Sequence, residues 1–163
     1  SISVTMTKAP YTVTANVIDL PSPPKKRKHK MDDKWSPKVM KFGFTPLPNL
    51  LLRAQAKLKI APDEFNILVQ LMLHWWDADD DPHLAKETIA LRIGKSARQV
   101  QRYITRLEKK GLLTRKPRYL GKKAQTSNAY SLGGLVTKLK LLEPEFAKAA
   151  EQVRLKKKKL ETA

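Results

Sequence analysis

The chain contains no cysteine among its 163 residues. That excludes disulfides, thiolate zinc sites and cysteine nucleophiles, and it suits a reducing compartment. Acidic residues are scarce as well: 15 Asp and Glu stand against 33 Lys and Arg, a formal net charge of +18. An imbalance of this size exceeds what solubility needs and points to a polyanionic partner. No apolar run approaches the roughly 20 residues required to cross a bilayer, so no membrane partner is expected. The first residues lack the charged-then-apolar pattern of a secretory leader. No Ser–His–Asp order, phosphate loop or pair of catalytic carboxylates stands out, so neither an enzyme nor a cofactor is expected. Asp77, Asp79 and Asp81 have the opening spacing of a calcium loop. However, Pro82 replaces the required glycine and Thr88 stands where a bidentate glutamate is needed, so no metal site is expected.

What the chain does have is sorted by position. Residues 1–34 read as a flexible arm, first rich in Thr, Val and Ile, then Pro-rich, then basic, with five Lys or Arg in the six residues Lys25 to Lys30. Proline and like-charge repulsion both oppose folding there. That run has the composition of a nuclear import signal or of an arm that adds nonspecific affinity for phosphates, and the second reading is favoured. Folded structure is expected from Trp35. A short helix is expected over Leu47–Leu58, with Pro48 in its first turn. A second starts at Pro62, with Asp63 and Glu64 in its first turn. Phe65, Leu68, Val69, Met72 and Trp76 recur at helical spacing there and should face the core.

The segment Leu84 to Lys116, LAKETIALRIGKSARQVQRYITRLEKKGLLTRK, is the most informative stretch. Its first helix should end at Gly94, a residue able to adopt positive φ. Ser96 suits the N-cap of the next helix, and Gln99 completes a capping box. Ala97, Val100, Ile104 and Leu107 share one face, with Tyr103 at its edge, and Gly111 stops the helix. Leu112–Lys116 and Asn128–Leu132 read as two short strands around a basic loop too long for a tight hairpin. After Gly133 two helical pieces are expected, separated at Glu143-Pro144, with Leu135, Leu139, Leu142, Phe146, Ala150 and Val153 as an apolar seam. That seam suits either the domain itself or a homodimer.

Charge is segregated too. From Lys95 to Gln125 there are eleven basic residues and one acid, Glu108, whereas Pro62 to Leu91 holds seven acids and one lysine. The outer face of the 96–110 helix carries Arg98, Gln99, Gln101, Arg102 and Thr105. Arginine can bond guanine O6 and N7, and glutamine adenine N6 and N7, in bidentate fashion. Lys95, Ser96 and the amides at the helix start suit a phosphate. Arg106 would touch backbone at most. In the 116–127 loop Arg118, Lys122 and Lys123 suit a groove or phosphates, and Tyr119 the sugar backbone.

TIALRIGKSARQVQRYITRLEKKGLLTR resembles the winged helix-turn-helix core of bacterial, plasmid and phage DNA-binding proteins, transcription regulators and replication initiators among them. The shared pattern is T-I-A … G-x-S-x-R-x-V-x-R-x-I-x-x-L-E-x-x-G-L-I. The resemblance implies a mainly α fold: a three-helix core plus a small β-wing, with flexible basic tails. It places Ser96, Arg98, Gln101 and Arg102 toward double-stranded DNA. The expected organisation is an arm (1–34), a winged domain (35–132) and a C-terminal helical extension (133–163). The leading expectation is a sequence-specific duplex reader in transcription control or in plasmid or phage replication initiation, cytoplasmic and nucleoid-associated. The alternatives are a nonspecific architectural or partition protein and an RNA-binding or assembly module. With no room for an effector domain, no small-molecule effector is expected.

Overall fold

A computed structural model of the chain describes residues 30–122 and 124–163. The arm up to residue 29, with most of its basic run, and Lys123 lie outside the described residues. Two compact units divide between Phe44 and Thr45. The first holds helices α1 (Lys30–Trp35) and α2 (Pro37–Met40), which pack on each other. Asp32 and Asp33 sit in the first turn of α1, where the helix dipole favours negative charge. Among the described residues helix is thus present from Lys30, ahead of the expected start at Trp35.

The second unit carries α3 (Asn49–Arg53), α4 (Pro62–Met72), α5 (Lys86–Ile93), α6 (Ala97–Lys109), four short strands and α7 (Gly133–Thr162). The helix expected over Leu47–Leu58 is shorter: Pro48 is the N-cap, and turns replace the helix after Arg53. Strands β1 (Thr114–Lys116) and β4 (Ala129–Ser131) pair antiparallel, with Arg115 opposite Tyr130. The loop between them is not irregular. It folds into a second antiparallel pair, β2 (Tyr119–Leu120) with β3 (Ala124–Gln125), that turns at Gly121 with φ 67°. His83 bridges Ala129 as a short third edge.

One core joins these elements: Leu51, Ile67, Leu68, Leu71, Ile89, Val100, Ile104, Leu107, Leu112, Leu132 and Leu135 are buried. The inward face of α4 differs from the one its apolar residues suggest. Leu68 is buried and Phe65 and Met72 pack against the core as expected, but the other buried positions are Glu64, Ile67 and Leu71, and Trp76 lies beyond the helix and is 80 % exposed. Of the two adjacent tryptophans, Trp75 is the one that packs against the core. Leu135 carries α7 into the same core, so residues after 132 are continuous with the domain rather than appended to it. Nor does α7 break at Pro144: it runs unbroken from Gly133 to Thr162. The ring removes the N–H that would pair with the Lys140 carbonyl and crowds that carbonyl, a local cost that the rest of the 30-residue helix outweighs. Among the described residues no helix is long and apolar enough to cross a membrane.

Glu64 explains how a charged residue occupies the core. Its Oε2 accepts from Lys110 Nζ at 2.6 Å and from the Ala61 N–H at 3.2 Å. Lys110 also donates to the Lys59 carbonyl at 2.6 Å. This pair fastens the C-terminal end of α6 to the start of α4. Removing one partner of a buried pair strands the other charge, at a typical loss of roughly 3–5 kcal/mol. Lys110 is 32 % exposed, so water offsets part of that loss. Lys110→Met is expected to lower the unfolding free energy by about 2 kcal/mol in urea denaturation. An unchanged midpoint would show that the pair contributes nothing net.

Candidate nucleic-acid interface

The turn between α5 and α6 is built as its sequence requires. Gly94 ends α5 in the left-handed region at φ 67°, and the Lys95 N–H bonds to the Ala90 carbonyl at 3.0 Å. Ser96 Oγ then accepts from the Gln99 N–H at 3.1 Å, and Gln99 Oε1 accepts from the Ser96 N–H at 2.9 Å. The capping box fixes the direction in which α6 leaves the turn. Gly111 ends α6 at φ 69° and sends Leu112 and Leu113 into the core before β1.

On α6, Val100, Tyr103, Ile104 and Leu107 are buried, Tyr103 more fully than an edge position implies. At about 100° per residue, Arg98, Arg102, Thr105 and Lys109 fall on the opposite face. Arg98, Arg102, Arg106 and Lys109 are all exposed, as is Lys95 ahead of the cap. Arg106 lies 6.0 Å from the centre of the Tyr103 ring. Among the described residues none of these five has a carboxylate partner. On the wing, Tyr119 is 62 % exposed, Lys122 is exposed, and half-buried Arg118 donates to Ser127 Oγ at 3.4 Å.

The other basic residues of this stretch are neutralised from behind. Arg115 binds Glu108 Oε1 through Nε (2.9 Å) and Nη2 (2.5 Å). Lys116 binds Asp81 Oδ2 at 2.8 Å, and Lys110 holds Glu64. Glu108 on α6 itself, with Glu64 and Asp81 of the supporting elements, thus selects three cations for structure and leaves the outward set unpaired. Burial pushes the phenol of Tyr130, beside Arg115, above its ordinary range, so it stays neutral. The imidazole of His74 is pushed down by desolvation, Arg92 and His83, and its Nε2 lies 3.0 Å from Arg92 Nη1.

Three glutamine and threonine side chains expected on the reading face are already engaged. Gln99 Oε1 is taken by the cap, and a bidentate adenine contact would need that oxygen. Gln101 turns toward β1: with its amide oriented to suit its neighbours, Oε1 accepts from Arg115 Nη2 (2.8 Å) and Nη1 (3.0 Å). Thr105 Oγ1 donates to the Gln101 carbonyl at 2.9 Å. What faces outward from α6 is therefore cationic. Arg115 is the residue that sequence reasoning undervalues: it ties α6 to the wing through Gln101 and Glu108. Its only sequence signal is Glu108, the lone acid in a basic stretch.

Residues 58–113, from the end of the α3 turns to the start of β1, match the family model described as a helix-turn-helix domain. Within it, α5, the turn at Gly94–Ser96 and α6 form a helix-turn-helix. The β1–β4 pair that follows it makes the fold a winged helix. Among solved structures, the N-terminal domain of DnaD protein from Geobacillus kaustophilus HTA426 is similar over 78 % of this chain and 98 % of its own, at 21 % identity and a TM-score of 0.49. No curated protein matches the chain. Among the described residues no cluster of His, Asp and Glu is arranged to hold a metal.

Proposed function

We propose that this chain binds double-stranded DNA sequence-specifically, with α6 in the major groove and the wing on an adjacent groove or the backbone. It would act in transcription control or in plasmid or phage replication initiation, in the cytoplasm and on the nucleoid. The observation that carries the reading is the stripe of Arg98, Arg102 and Lys109 opposite the core, unpaired while neighbouring cations are neutralised. A helix-turn-helix domain supports DNA as the partner. Arg98 and Arg102 lie nearest the helix start, the end that enters the groove in such domains, and each suits a guanine. Lys95, Arg106 and Lys109 suit phosphates, with Arg118, Tyr119 and Lys122 on the wing. Lys123 and the basic arm would extend the same contacts.

The engagement of Gln99 and Gln101 favours a second reading. A face that offers only cations suits an architectural or partition protein that binds any duplex. Selection from a random duplex library at about 150 mM salt separates the two. Specific reading predicts an enriched, guanine-containing motif. Arg102→Ala should then cost roughly 1–3 kcal/mol, about five- to 150-fold in Kd, and relax one base position. Tight binding with no enrichment would establish the architectural reading, and equal binding to RNA would replace both.

A further inference from the structure

Beyond Phe146, helix α7 has no cover within its unit: every residue from Ala147 to Ala163 is exposed. A lone helical segment of that length is marginal in water, because helices of fewer than about 12–15 residues barely hold and longer ones rely on packing. Its apolar residues are not scattered. Leu139, Phe146, Val153 and Leu160 recur every seventh position, and Leu135, Leu142 and Ala149 fall at the intervening ones, with Lys156 last. This is a heptad seam, and it passes through Ala149 rather than Ala150. The front of the seam is used inside the unit: Leu135 is buried, Leu139 packs on the core, and Lys57 lies 5.2 Å from the centre of the Phe146 ring. The back of the seam is bare, with Val153 67 % and Leu160 80 % exposed.

The charges beside the seam have a direction. Glu143 and Glu145 flank its front, Lys157 and Lys159 its back. A parallel partner would set Lys156 against Lys156 within the seam and would leave Glu145, Lys157 and Lys159 without an opposite charge. An antiparallel partner sets each acid beside a base. We infer that the exposed half of α7 pairs antiparallel with the same helix of a second copy, about a two-fold axis at Glu151. That register stacks Ala149 on Val153 and places Leu160 opposite Leu142 of the other copy. Glu143 meets Lys157 and Glu145 meets Lys159. Within its own chain Glu145 is paired to Lys57, and Lys157 reaches Glu161 only at 3.8 Å. Both pairs are solvent-exposed, so either can be shared with an incoming charge at little cost. Beside Leu142 lies an open cavity of about 460 Å³, its apolar wall made by Leu58, Leu141 and Leu142 and its rest by Lys57, Lys59, Lys110 and Lys138. The second copy's Leu160 is the side chain that this register delivers there.

The pairing needs no DNA, so it is tested on the protein alone, by sedimentation equilibrium of the full chain from micromolar to submillimolar concentration. Dimerisation is expected, and a monomer throughout that range overturns the inference. Val153→Glu with Leu160→Glu should abolish the dimer and, at concentrations below dimerisation, melt at the same temperature as the native chain, because both side chains are exposed in the monomer. A dimer that survives this double change lies elsewhere and refutes the seam. Glu143→Lys should weaken the dimer about tenfold, and adding Lys157→Glu should restore it. The native chain has no cysteine, so single cysteines report orientation cleanly. Gln152→Cys sits at the two-fold and should oxidise to a covalent dimer. Two copies of Lys156→Cys would lie about 15 Å apart along the pair and should not. The reverse pattern would establish a parallel pair and sink the antiparallel one.

Discussion

Raising the salt from about 50 to about 200 mM is expected to weaken duplex DNA binding by a factor of roughly 10³–10⁵. The expectation comes from counting charges that nothing else neutralises. Lys95, Arg98, Arg102, Arg106 and Lys109 on α6, with Arg118 and Lys122 on the wing, have no carboxylate partner among the described residues. If Arg98 and Arg102 go to bases, five remain for phosphates. At about −0.9 in log K per log salt for each phosphate, that surface alone gives a slope near −4.5 and a loss of about 500-fold over the same interval. The run from Lys25 to Lys30 brings the total into the six-to-ten range. Fluorescence anisotropy titrations at four salt concentrations measure the slope. A slope shallower than about −3 would mean that the α6 and wing cations do not meet phosphates, and the proposed docking would fall.

Gly134→Ala is expected to destabilise the second unit by about 3 kcal/mol, lowering its melting temperature by about 10 °C. A Cβ at Gly134 would overlap the carbonyl oxygen of Gly111. That obstacle is backbone and cannot rotate away. Gly111 itself is committed to positive φ, so the turn that ends α6 has little freedom to retreat. The Lys138 ammonium, which donates to the Lys110 carbonyl, reinforces the same junction. Gly133→Ala is the control. Its Cβ would meet only the Ser131 hydroxyl, at 3.3 Å, and that side chain can turn aside. Alanine at 133 should cost less than about 1 kcal/mol, since a helical glycine replaced by alanine gains helix propensity. If thermal melts rank the two variants the other way round, the close approach of the two glycines does not govern stability.

Local chemistry is legible in the amino-acid sequence. Gly94, Ser96 with Gln99, and Gly111 act within a few residues of themselves, and each does what its residue type predicts. The three-helix core and the wing follow from them. What escapes depends on partners far along the chain. The apolar residues of α4 suggest one inner face, but a position on the true one is Glu64, which is tolerable only because Lys110 arrives 46 residues later. Trp76 has the apolar character of a core residue, yet the helix ends before reaching it. Gln101 and Gln99 have the chemistry of base readers and are held by Arg115 and by the cap. Pro144 has the character of a helix break, and the helix on either side outweighs it. Each miss puts a residue's intrinsic preference against a contact that sequence spacing does not encode.

The length of α7 acts as a ruler. At about 1.5 Å per residue, its 30 residues make a rod of about 45 Å. One end is set against the base of α6 by the Gly111–Gly134 contact. In an antiparallel pair the separation and relative rotation of the two reading helices are then fixed by residue number rather than by a hinge. Removing one residue from the exposed part of α7 turns the second copy by about 100° and takes its seam out of contact. Removing seven turns it by only about 20°, which keeps the seam and shortens each rod by about 10.5 Å. The spacing between the two halves of a DNA target would therefore change in discrete steps, each set by the phase of one helix.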